Sequence, residues 1–122
     1  MTKNLEISVL LDFYGTMLTD KQRDVVELYY NEDLSLAEIA AHSGITRQGV
    51  RDSIKRAEAQ LLEYEERLQL AARFRTIQQS LEEIISLAQN IYEFNQRFGA
   101  HSPVDQDAKR IIDLVNLVIE AE

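Results

Sequence analysis

At 122 residues, 45% of them hydrophobic, the chain can bury a core of its own and leaves no room for a separate catalytic domain beside it. Cysteine is absent, which excludes disulfides, thiolate nucleophiles and cysteine-based zinc or iron–sulfur sites. The net charge of −8 excludes a uniformly basic coat for nucleic acid, because phosphates are met by Lys and Arg.

One proline and four glycines leave few breakers, so an all-α chain with short connections is expected. The N-terminus has no basic stretch followed by an apolar segment, and no apolar run approaches the roughly 18 residues of a membrane span, which predicts a cytoplasmic chain without membrane insertion. A first helix is predicted from Leu5 to Met17, with Leu10, Phe13, Tyr14 and Met17 at helical spacing. Thr19 caps a second, Asp20 to Tyr30, which buries Val25, Leu28 and Tyr29 and is closed by Asn31-Glu32-Asp33. Ser35 and Glu38 form a capping box for a short helix, Leu36 to His42. Ser43-Gly44-Ile45 is a turn, and Thr46 caps the next helix.

No proline or glycine occurs between Gly49 and Gly99, so that stretch is either one long helix or one kinked between Glu66 and Arg75. Leu70, Phe74, Ile77, Leu81, Ile84, Ala88 and Ile91 alternate at spacings of four and three, the seam of a coiled coil or bundle helix. Phe98-Gly99-Ala100-His101 reads as a loop. Ser102, Pro103 and Asp105 open a last helix as N-cap, first and third positions. Its stripe is Val104, Ala108, Ile111, Val115 and Val118, widened by Ile112, Leu114 and Ile119. Surplus apolar surface predicts a homodimer, with Leu81, Ile84, Ile91, Ile111, Ile112 and Val115 as self-association residues.

Two helices joined by a tight turn, Ser35 to Ala57, carry the chemistry. Ala40 is small where the helices cross, Gly44 suits a left-handed turn, and Ile39, Ile45, Val50 and Ile54 lock the angle. Residues 43–60 hold 4 basic and 2 acidic side chains, whereas residues 1–42 hold 3 and 8 and residues 61–122 hold 6 and 11. The net-basic stretch therefore coincides with the second helix. This segment resembles region 4 of bacterial sigma factors, and the resemblance makes Arg47, Gln48, Arg51 and Asp52 the groove-facing residues. Arginine donates two hydrogen bonds to guanine and glutamine pairs with adenine, while Lys55, Arg56, Lys21 and Arg23 suit phosphate. Sigma factors commonly have glutamate, arginine and glutamine where Gln48, Gly49 and Asp52 stand, so promoter specificity does not carry over. The bland alternative is a trihelical scaffold whose arginines are solvated or paired with the surrounding acids.

A second resemblance covers residues 5 to 70 through Leu11-Asp-Phe-Tyr14, Leu18-Thr-Asp-Lys-Gln-Arg23, Leu28-Tyr-Tyr30, Ser35-Leu-Ala-Glu-Ile-Ala40, Thr46-Arg-Gln48, Ile54-Lys-Arg56 and Glu63-Tyr-Glu65. By these motifs the chain resembles the YlxM family of helix-turn-helix proteins. That resemblance implies a regulatory or accessory role in protein targeting by the signal recognition particle, with DNA or the particle's protein or RNA as partner. The rival reading is a dimeric, sequence-specific transcription regulator. The expected fold is a sigma-4-like trihelical helix-turn-helix without a wing, residues 1–66, followed by long C-terminal helices in residues 67–122.

Nothing in the chain points to an enzyme, a cofactor, a metal or a small-molecule substrate. None of the four glycines lies in a phosphate-binding run, and His42 and His101 are isolated. Glu65-Glu66 and Glu82-Glu83 point in different directions on a helix and read as solvated faces. Phe13-Tyr14, Tyr29-Tyr30 and Tyr92-x-Phe94 read as core packing, not base stacking.

Overall fold

Residues 3–98 and 103–120 are described by the computed structural model, and every regular element among them is helical. The order is α1 (Leu5–Tyr14), a 3-10 turn (Gly15–Met17), α2 (Asp20–Tyr30), α3 (Leu36–Ser43), α4 (Arg47–Leu68), α5 (Leu70–Phe98) and α6 (Pro103–Glu120). The chain divides into two compact units between Ala72 and Arg73. The first helix is shorter than expected, tightening into the 3-10 turn at Gly15, and Met17 is half exposed instead of buried. The expected loop and cap at residues 99–102, with His101 and Ser102, lie outside the described residues.

Side-chain caps place most helix starts in the first unit. Thr19 and Gln22 form a capping box on α2, Ser35 and Glu38 form one on α3, and Thr46 accepts from the Gly49 amide at 2.9 Å to open α4. Gly44 ends α3 at φ 69°, the left-handed conformation in which a Cβ is costly.

Two apolar clusters share α4. Its N-terminal half contributes Val50 and Ile54 to a core with Val25, Tyr29 and Ile39, on which Leu28, Ala40 and Ile45 pack half-buried. Its C-terminal half contributes Ala57 and Leu61 to a core with Ile7, Leu10, Leu11, Tyr14, Leu18 and Val26. The four α4 residues are fully buried and spaced four, three and four apart, one helical stripe. Each large side chain so buried contributes about 1.5–3 kcal/mol, so the stripe fixes α4 against α1, α2 and α3 at once. Tyr29 and Tyr30 meet edge to face with centroids 5.1 Å apart, and Phe13 lies 6.2 Å from Tyr14, in line with a packing role for both pairs.

The break after α4 falls at Gln69, within the expected window, though no glycine or proline marks it. Gln69 takes φ 57°, its amide donates to the Glu65 carbonyl at 2.9 Å, and its side chain donates to the Glu65 and Glu66 carbonyls at 2.9 and 3.2 Å. The first amides of α5 are also held by side chains. Leu70 donates to the Tyr14 hydroxyl at 3.1 Å, and Ala71 and Ala72 each donate to the Glu65 carboxylate at 3.0 Å. Tyr14 itself donates to Glu65 Oε1 at 2.5 Å. Glu65 is therefore no solvated surface acid, as the sequence had implied, but the cap of the following helix. Because Ala71 is buried in the α1 core, the first unit extends to Ala72, six residues past the expected boundary at 66.

Burial raises the pKa of the Tyr14 hydroxyl, and its bond to Glu65 adds to the shift. Burial, reinforced by the neighbouring Glu58 carboxylate, pushes Tyr30 up to about 12. In the unfolded chain both titrate near pH 10. Their contribution to stability is thus constant below about pH 10 and declines as pH rises from there toward 12, since the unfolded state then loses protons that the folded state keeps. Urea midpoints measured from neutral to strongly alkaline pH are expected to fall only in that window; a flat profile across it would contradict the burial of the two phenols.

In the second unit, Ala88 of α5 and Ala108 and Val115 of α6 are buried, and Gln96 donates to Asp105 at 2.8 Å between the connected helix ends. The aromatic expectation fails here for Phe94, though not for the half-buried Tyr92: Phe94 is 65% exposed and meets Phe98, itself 74% exposed, in a tilted pair with centroids 4.9 Å apart.

Candidate nucleic-acid interface

Thr46 and the tight turn before it start α4 so that its buried stripe faces the core and its opposite side faces solvent. On that outer side lie Arg47, Gln48, Arg51, Asp52, Lys55 and Arg56, all exposed. Spacings of four and three, as in Arg47, Arg51 and Lys55 with Gln48 and Asp52, place them on one face of the first turns. Among the described residues, none of the four cations has an ion-pair partner. They are solvated, one of the two states that a plain trihelical scaffold allows, and not paired with the surrounding acids.

Gln48 and Asp52 do engage each other, with Nε2 donating to Oδ1 at 3.0 Å one turn on. The bond holds the Gln48 amide along the helix. A Cβ at Gly49 would stand 3.1 Å from the Thr46 hydroxyl that caps the helix, so a side chain there requires that hydroxyl to give by a few tenths of an ångström.

The two cations expected from α2 part company. Lys21 is exposed and joins Gly49, Asp52, Ser53 and Arg56 around an open cleft of about 430 Å³ beside α4. Arg23 is half-buried instead of exposed and is paired with Glu27 at 2.9 Å one turn later on the same helix. Lys21 thus belongs to the basic surface, and Arg23 is committed to α2. His42 is in the last turn of α3 and borders a separate depression with Asp24, Glu27 and Glu32. Among the described residues no three His, Cys, Asp or Glu side chains converge on a point where a metal would bind. No helix among them is long and apolar enough to cross a membrane.

Residues 1–99 match the family model described as "Putative helix-turn-helix protein, YlxM / p13 like". The chain belongs to this family. The match runs well past the residues 5 to 70 on which the motifs are found, and takes in all of α5. Among similar proteins, a UPF0122 protein of Clostridium kluyveri is 46% identical over 92 residues, covering 75% of this chain and 83% of its own. One of Desulforamulus reducens is 50% identical over 82 residues, covering 67% and 70%, and one of Clostridium perfringens is 43% identical over 113 residues, covering 93% and 92%. The last of these extends the similarity across most of α6 as well. Membership of this helix-turn-helix family agrees with the trihelical arrangement of α2, α3 and α4.

Proposed function

We propose that this YlxM / p13-like protein is a non-catalytic, cytoplasmic accessory or regulatory protein that docks α4 in the major groove of duplex DNA and acts in protein targeting by the signal recognition particle. The observation that supports docking is the set of unpaired cations, Arg47, Arg51, Lys55 and Arg56, on the solvent face of a helix whose other face is fully buried. Arg47, Arg51 and Gln48 reach base edges at the helix N-terminus. Lys55, Arg56 and Lys21 meet the backbone on either side. The link to the particle rests on the family resemblance.

With Lys55, Arg56 and Lys21 at the backbone, about three phosphates are neutralised, and the logarithm of affinity for mixed-sequence duplex DNA should fall with the logarithm of salt at a slope of roughly −3. Fluorescence anisotropy at several salt concentrations measures it. Binding that ignores salt would move the site away from α4. The same protein added to purified particle should change its GTP turnover or bind its protein or RNA; no response in all three would remove the targeting role.

A further inference from the structure

The apolar seam on the two long helices is split by the fold. Phe74, Leu81 and Ala88, spaced seven apart on α5, are half-buried or buried, whereas Ile77, Ile84, Ile91 and Phe98, also spaced seven apart, are 56, 44, 46 and 74% exposed. The same division holds on α6, where Ala108 and Val115 are buried while Val104, Ile111 and Val118 are 53, 40 and 47% exposed. On α5 the open row is completed by Leu87 and Phe94, so Ile84, Leu87, Ile91, Phe94 and Phe98 alternate three and four apart. That is a second coiled-coil seam, with Ile84, Ile91 and Phe98 in the first position of the heptad and Leu87 and Phe94 in the fourth.

We propose that this open seam docks against the same seam of a second copy, with the two α5 helices antiparallel about a two-fold axis. Two observations select this occupant. One is the amount of surface. A stable two-fold interface takes about 800 Å² from each partner, the largest apolar patch of an ordinary monomer is about 300–600 Å², and the five large apolar side chains of this seam are all exposed by 44% or more.

The other is charge. In an antiparallel pair, Ile84 stacks with Phe94 of the second copy and Leu87 with Ile91 of the second copy. This register brings the flanking seventh positions, Glu83, Asn90 and Arg97, opposite one another in reverse order. Glu83 then faces Arg97 of the second copy, Arg97 faces Glu83 of the second copy, and Asn90 meets its own counterpart near the axis. Glu83 and Arg97 are exposed and have no ion-pair partner within their own chain among the described residues. A parallel pair sets the seventh positions against the fifth, Leu81, Ala88 and Asn95, and leaves both charges unmatched.

The six self-association residues expected from the sequence divide between the two rows. Ile84, Ile91 and Ile111 belong to the open rows. Leu81, Ile112 and Val115 are half-buried or buried and hold the unit itself together.

Sedimentation equilibrium of the full chain from micromolar to submillimolar concentration tests the proposal. The expected mass is that of two chains, reduced to one by Ile91→Asp with the circular dichroism of the helices unchanged, since that side chain is already in water. Glu83→Arg should weaken the dimer about tenfold by setting two like-charged pairs face to face, and adding Arg97→Glu should restore it. A chain that stays at the mass of one copy throughout overturns the proposal, whatever other protein covers the face. So does a dimer that Ile91→Asp disrupts but that ignores Glu83→Arg.

Discussion

Replacing Glu65 by alanine is expected to cost the first unit on the order of 3 kcal/mol. The carboxylate accepts from the Tyr14 hydroxyl and from the amides of Ala71 and Ala72, and its removal leaves those three donors without that acceptor beside a buried apolar cluster. Hydrogen bonds to a charged acceptor are worth about 1.5–3 kcal/mol each, and partial rehydration of the exposed side of the junction returns some of the sum. Glu65→Gln keeps one acceptor oxygen and should lose less. Glu66→Ala, one residue on and exposed, should change stability by no more than about 0.5 kcal/mol. Urea unfolding of the three variants measures the contrast. Equal midpoints for the Glu65 and Glu66 alanine variants would show that the carboxylate does not organise the junction.

Removing Arg47 and Arg51 together should abolish measurable binding to duplex DNA at moderate salt. Each guanidinium is worth about 1–3 kcal/mol when it meets a base edge or phosphate, and the whole surface offers only a handful of cations within a chain of net charge −8. The double alanine variant should therefore lose at least tenfold per site, while its salt slope, set by Lys21, Lys55 and Arg56, should stay nearly the same. Both side chains are exposed and unpaired, so the fold should be untouched. Arg23→Ala is the internal control: half-buried and paired with Glu27, Arg23 should leave binding unchanged. If Arg23→Ala weakens binding as much as the double variant does, the contact surface is α2 and not α4.

Much of the first unit was legible because its rules are local. Thr19, Ser35 with Glu38, Gly44 and Thr46 announce helix starts and stops within four residues of themselves, and Ile39, Val50 and Ile54 follow from helical period alone. The cations of α4 were legible for the same reason, each exposed where the period put it. Arg23 was misplaced because its pairing with Glu27, though local, competes with exposure on terms that only packing decides. Glu65 was not legible, since its partner Tyr14 lies 51 residues earlier. Ile7, Leu11, Leu18 and Val26 entered the core through contacts between helices that no single period reveals. On α5 and α6 both rows of the seam are apolar with the same repeat, so spacing alone could not distinguish the row facing inward from the row left open.

The bend at Gln69 has a consequence for how the chain tolerates change. Gln69 has a side chain suited to a helix, and the residues on either side of it are leucines; left to local preference, α4 would read through into α5 as one rod. What stops it is a phenol on α1 and a carboxylate on α4 acting together on three amides. The punctuation between these helices is therefore written at the far end of the first unit, in Tyr14. A chain that loses α1 loses the stop as well as part of a core, and its two longest helices become free to fuse.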